Sequence, residues 1–113
     1  MFQKLRTVIY HTDDITKAKQ WYSNITGVQP YFDQPFYVGF DINGCELGID
    51  PNSPKPTGSG AVAYWKVENI KDAVARCIAT GGAIHSDIRH VGGTIEVAVI
   101  IDPFGNHVGL ISE

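Results

Sequence analysis

The stretch Asp102-Pro103-Phe104-Gly105-Asn106-His107-Val108-Gly109-Leu110-Ile111 decides how the rest of the chain reads. An Asp-Pro-x-Gly-Asn turn closes one apolar run and opens another. Pro103 pre-sets the turn, and Gly105 supplies the backbone freedom that closes it. The runs on either side, residues 94–101 and 106–112, read as two strands joined by this turn. Gly109 stands inside the second of them, where a glycine gives up side-chain packing.

Working back from the turn, Gly92-Gly93 marks a second reversal and residues 83–91 a strand. Gly81-Gly82 ends a helix capped by Asn69, with Ile70, Ala73, Val74, Cys77 and Ile78 on one face. Residues 61–67 form the strand before it. The first half of the chain has the same order. Residues 5–12 are a β-branched and aromatic run, Asp13 and Asp14 offer N-cap chemistry, and Ile15, Ala18, Tyr22 and Ile25 recur at helical spacing up to Gly27. Residues 28–32 and 36–42 read as strands broken by Asp33-Gln34-Pro35. Asn43-Gly44 is a hairpin turn, and residues 45–50 return from it. Residues 51–60, rich in Pro, Ser and Gly, form a linker.

The two halves align by residue. Asp14-Ile15-Thr16-Lys17-Ala18 matches Asn69-Ile70-Lys71-Asp72-Ala73, Gly27 matches Gly82, Gly44 matches Gly105, and Leu47-Gly48-Ile49 matches Val108-Gly109-Leu110. Matching caps and turns favour an internal duplication over an unrelated α+β sandwich of ferredoxin-like kind. The expectation is a single α+β domain, 1–113, made of module 1–50, linker 51–60 and module 61–113.

A chain of 113 residues supports one modest core. Its net charge of -3, without a basic run, argues against a nucleic-acid surface. No apolar stretch approaches the ~20 residues of a membrane span, and no signal-peptide pattern opens the chain. Cys45 and Cys77 lack metal-ligand spacing and read as reduced, buried thiols of a cytoplasmic protein, with pairing left open.

The order of elements resembles the vicinal oxygen chelate superfamily, which includes glyoxalase I, extradiol dioxygenases and bleomycin-resistance and related antibiotic-binding proteins. The resemblance rests on Asp13-Asp14-Ile15 with Trp21-Tyr22 and Thr26-Gly27, on Val67-Glu68-Asn69-Ile70 with Gly81-Gly82, and above all on Asp102-Pro103-Phe104-Gly105-Asn106. It implies two tandem βαβββ modules, each a curled sheet around a cavity, and a homodimer. It also implies four metal-ligand positions on the first and last strands of the modules, which fall here at Thr7, Gly48, Val62 and Gly109. Metal-binding members carry His, Gln or Glu there. Two glycines and a valine offer no side-chain donor and a lone threonine hydroxyl is a poor one, so no metal or other cofactor is expected.

Side-chain parity along the strands places His11 with Thr7, Glu46 and Asp50 with Gly48, His107 with Gly109, and Tyr64 and Lys66 with Val62. Phe36, Val38 and Phe40 share one face of the third strand. Together these thirteen residues are the candidate lining of a ligand cavity, which the glycines at 48 and 109 would enlarge. The plain structural readings stand beside this one: histidines that are exposed or hydrogen-bonded, aromatics that are core, glycines that serve a sheet bend. The expected function is metal-independent binding of a small, aromatic or antibiotic-like molecule. The alternatives are a glyoxalase- or dioxygenase-type metalloenzyme with a non-standard site, and a metal-free acid–base enzyme using His11, Glu46 or His107.

Overall fold

In a computed structural model that describes residues 1–57 and 60–113, the elements run β1 (Thr7–His11), α1 (Ile15–Thr26), β2 (Phe32–Gln34), β3 (Tyr37–Ile42), β4 (Cys45–Asp50), β5 (Tyr64–Lys66), α2 (Ile70–Ala79), β6 (Ala83–Gly92), β7 (Ile95–Ile101) and β8 (His107–Ser112). Gly58 and Ser59, part of the expected linker, lie outside the described residues. The chain divides into two units, Met1–Lys55 and Pro56–Glu113. Each carries a four-stranded sheet, ordered β1-β4-β3-β2 in the first and β5-β8-β7-β6 in the second. In both, the first strand runs parallel to the last, and the remaining pairs are antiparallel. The fold is α+β, with the βαβββ order repeated.

The helices begin and end where side-chain chemistry says they must. Asp14 caps α1 by accepting from the Lys17 amide at 3.1 Å, and Asn69 caps α2 by accepting from the Asp72 amide at 3.1 Å. Gly27 closes α1 at φ 71°, a left-handed conformation that a side chain disfavours, and donates its amide to Ser23 O at 3.0 Å. Ala18, Trp21 and Tyr22 are the buried stripe of α1. The Tyr22 ring stacks on Tyr10 of β1 at 5.5 Å, which identifies the helix-facing side of the first sheet. Tyr10 pairs with Ile49, Ile49 with Val38, and Leu47 with Phe40, so these side chains form the core under α1. Each such burial contributes about 1.5–3 kcal/mol.

Two expected strands move. Residues 28–31 are not a strand, and β2 instead occupies Phe32–Gln34, which includes two of the three residues read as a break. The reversal needs only Pro35 and Phe36, so Asp33 and Gln34 remain free to pair with Val38 and Tyr37. The strand expected over 61–67 is regular only at Tyr64–Lys66. Its pairing with β8 is continued by backbone bonds from Gly109 N to Ala63 O and from Val67 N to Ile111 O, both 2.9 Å. Cys45 is half-buried and Cys77 buried, and both are free thiols.

The turn between β7 and β8 is built around a buried carboxylate. Asp102, 3% exposed, accepts from the amides of Phe104 (2.9 Å) and Asn106 (2.8 Å) through Oδ1, and from Asn106 Nδ2 (2.8 Å) through Oδ2. Gly105 completes the loop at φ 93°. Removing the acceptor strands several donors in a site with little water. Asp102→Ala is therefore expected to lower unfolding free energy by at least about 2 kcal/mol in urea titrations. A loss below about 0.5 kcal/mol would show that the carboxylate does not organise the turn.

Candidate functional site

The sheet face away from α1 in the first unit carries polar chemistry. Register across β1, β4 and β3 brings Thr7 beside Glu46, Ile9 beside Gly48, Gly39 beside Gly48 and Asp41 beside Glu46. Glu46 is the hub. Its carboxylate accepts from Thr7 Oγ1 at 3.0 Å and Tyr37 Oη at 2.9 Å, and from Tyr31 Oη. Arg6 Nη1 approaches at 3.4 Å, but Arg6 is largely exposed and this ion pair adds little. Four donors nearly saturate the acceptor sites of one carboxylate.

The titration behaviour follows from that geometry. The Tyr31 hydrogen bond is the largest influence holding the Glu46 carboxyl below its ordinary range. Burial opposes it, while Tyr37, Thr7 and Arg6 reinforce it. Tyr37 is pushed up to about 12, first by burial and then by its bond to Glu46. Tyr31 is raised chiefly by the same carboxylate. An ionised Glu46 thus fixes both phenols as neutral donors. Beside it lies an open cavity of ≈ 410 Å³ lined by Arg6, Tyr31, Asp41, Gly44 and Glu46.

The two strand glycines do not leave open room. A Cβ placed on Gly48 would lie 2.0 Å from Tyr37 Oη and 2.7 Å from its Cζ. A Cβ on Gly109 would lie 2.6 Å from Tyr64 Cδ2 and 2.7 Å from its Cγ. In the first unit the hydroxyl end of Tyr37, from β3, already covers Gly48, and in the second the ring of Tyr64, from β5, covers Gly109. Gly39 repeats the theme, since a Cβ there would meet Glu46 Oε2 at 2.8 Å and Tyr31 Cε1 at 3.3 Å.

Of the thirteen expected lining residues, the structure gathers Thr7, Glu46 and Gly48 around the hub. Val38 and Phe40 are corrected: cross-strand register sets them with Ile49 and Leu47 in the core under α1, opposite the Gly48 face. Phe36 sits in the β2–β3 turn and packs edge-on against Phe32 at 6.0 Å. His11 is buried, with Nδ1 2.9 Å from Ser53 O, a tie to the chain leaving β4, and Nε2 3.2 Å from Asp13 just after β1. Asp50 accepts from the Asn52 amide at 2.7 Å and shapes the same exit. In the second unit Tyr64 covers Gly109, Val62 is half-buried ahead of β5, Lys66 is exposed with Nζ 3.9 Å from Glu113, and His107 lies against His85. Sequence reasoning did not count Arg6, Tyr31, Tyr37 and Gly39 among the lining residues. The hairpin at Asn43-Gly44 holds the signal: counting back from it pairs Gly39 with Gly48 and puts Tyr37 on their face.

A family model described as Glyoxalase/Bleomycin resistance protein/Dioxygenase superfamily matches residues 4–110. The chain belongs to this superfamily. Solved structures of similar fold include a glyoxalase/bleomycin resistance protein/dioxygenase family enzyme from Burkholderia phytofirmans PsJN. It has TM-score 0.82 and 18% identity, covering 97% of this chain and 98% of that one. A glyoxalase/bleomycin resistance protein from Albidiferax ferrireducens T118 has TM-score 0.75 and 21% identity, covering 96% and 98%. Lactoylglutathione lyase from Agrobacterium tumefaciens has TM-score 0.74 and 16% identity, covering 96% and 92%. No curated protein matches the chain. No helix among the described residues is long and apolar enough to cross a membrane.

The metal that the superfamily implies does not fit the four matched positions. Thr7 Oγ1 is engaged with Glu46, Val62 has no donor, and side chains at 48 and 109 would collide with tyrosine rings. Among the described residues no three His, Cys, Asp or Glu side chains gather as a metal site.

The Glu46 cluster has a pH signature. A carboxyl whose folded pKa lies below its unfolded one stabilises the fold fully above the unfolded value and loses that contribution as pH falls through the folded value. The stability gap between wild type and Glu46→Gln, from urea unfolding, is expected to be largest near pH 7 and to shrink below about pH 4.3. A gap that stays constant between pH 7 and about pH 3 would show that the charge on Glu46 is not what the hydroxyls recognise.

Proposed function

We propose that this member of the superfamily binds a small molecule without a metal ion, holding it as a carrier or sequestering protein. The observation that carries the reading is the occupation of the Gly48 position by the Tyr37 hydroxyl and of the Gly109 position by the Tyr64 ring. Where relatives of the metal-dependent kind present donors, this chain presents phenols and bare backbone. The ligand class follows from the cavity wall. Tyr31 exposes a ring for stacking, Arg6 a guanidinium for an acidic or planar group, and Asp41 a carboxylate for a donor. A planar, polar aromatic compound fits that combination, and antibiotics of that build are included in the proposal. A homodimer belongs to the proposal as well, carried over from the resemblance.

The acid–base alternative has the weaker chemistry. A general base works best with a pKa near the operating pH. Glu46 is held below its ordinary range with its acceptor sites engaged, and Tyr37 at about 12 is a poor proton donor near neutrality.

Metal content tests the proposal. Protein equilibrated with Ni(II), Zn(II), Mn(II) or Fe(II) and then desalted is expected to retain less than about 0.1 metal per chain by elemental analysis. Ligand binding is then read by isothermal titration calorimetry against a panel of planar aromatic acids and amines, with Arg6→Ala expected to weaken it. Retention of about one metal per chain would overturn metal independence.

A further inference from the structure

The second unit brings together two imidazoles that the binding reading leaves unused. His85 stands on β6 and His107 opens β8, with β7 between them in the sheet. The β6–β7 ladder slips register between Ile84 and Ser86, which makes His85 the bulged residue. A bulge re-aims the side chain it carries. Here the His85 ring comes to 4.3 Å from the His107 ring, centroid to centroid, with 34° between the planes. His107 is held from the other side, because it directly follows the Asp102–Asn106 turn with its buried hydrogen bonds.

We propose that His85 and His107 together chelate a late first-row divalent metal ion, Cu(II) foremost. Imidazole nitrogen suits Zn(II), Ni(II) and Cu(II), and affinity among divalent ions peaks at Cu(II). Two imidazoles bound to one ion at ~2.0–2.1 Å in neighbouring positions have ring centroids roughly 4.5–5 Å apart. The observed centroid separation of 4.3 Å is close to that spacing. Both rings belong to the sheet face that carries Gly109, but neither occupies one of the four superfamily positions. Among the described residues no third His, Cys, Asp or Glu joins them as a metal site, so water completes the coordination. Metal held by the pair is lost in His85→Ala and in His107→Ala, whereas metal at the superfamily positions would survive both substitutions. The proposal therefore stands or falls separately from metal independence at the superfamily positions.

The test is an equilibrium titration of the full chain with Cu(II) sulfate in a non-coordinating buffer, followed by electron paramagnetic resonance. The expected result is about one Cu(II) per chain with imidazole-nitrogen hyperfine structure, weakened about tenfold or more in His85→Ala and in His107→Ala. His90→Ala, which removes an exposed histidine of the same strand, is expected to leave it unchanged. Wild-type protein provides a second reading that needs no variant. Cu(II) should protect His85 and His107, but not His90, from diethyl pyrocarbonate as located by mass spectrometry. Copper binding that survives both His85→Ala and His107→Ala, as at the amino terminus, would overturn the proposal. So would the absence of protection at the pair.

Discussion

A tyrosine laid over a strand glycine is the contact on which the sheet face away from the helix depends in each unit. A glycine in a strand interior gives up side-chain packing and stiffness. A neighbouring aromatic restores the packing without needing a side chain beneath it. The hydroxyl end of Tyr37 does this for Gly48 and the ring of Tyr64 for Gly109; the two glycines are equivalent, but the tyrosines come from β3 in the first unit and β5 in the second. The duplication therefore extends beyond element order to a bare glycine on the last strand of each unit, while the residue that covers it has diverged. The same contact settles the local chemistry, because the space at those positions is already filled by carbon and one phenol oxygen.

In the first unit the covering ring also has an electrostatic anchor. Tyr37 reaches Glu46, which simultaneously receives Thr7 and Tyr31. A partly buried carboxylate is costly unless its acceptor sites are met, and three hydroxyls meet them. Burial of Tyr37 and ionisation of Glu46 support each other, since each pKa shift keeps the donor protonated and the acceptor charged. Among the described residues Tyr64 has no such anchor, and it is exposed. The two halves have kept one fold and diverged in chemistry: a carboxylate–phenol cluster in the first, an imidazole pair in the second.

Much of the fold was legible in the sequence, for identifiable reasons. Asp14, Asn69 and Gly27 act at helix ends, where capping is local. Asn43-Gly44 and Asp102–Asn106 mark turns through backbone demands that few other residues meet. The candidate site was less legible because its logic runs across strands. Parity along β3 correctly grouped Val38 with Phe40, but only register with β4 reveals that this group shares a face with Leu47 and Ile49 and not with Gly48. Phe36 lay one residue outside the strand to which parity assigned it, since a two-residue turn took it. The approach of His85 to His107 depends on a bulge, where parity along the strand breaks.

The most direct measurement of ring-over-glycine packing is the proton chemical shift of the glycine α positions by NMR. A phenol ring at this distance shields the protons beneath its face. The Hα resonances of Gly109, which lies beneath the Tyr64 ring, should lie upfield of those of an ordinary strand glycine. Tyr64→Leu should return Gly109 to the ordinary position, and Tyr37→Leu should leave it unchanged. Unshifted Gly109 protons in the wild-type protein, or a shift indifferent to Tyr64→Leu, would contradict the account and reopen that position to a ligand.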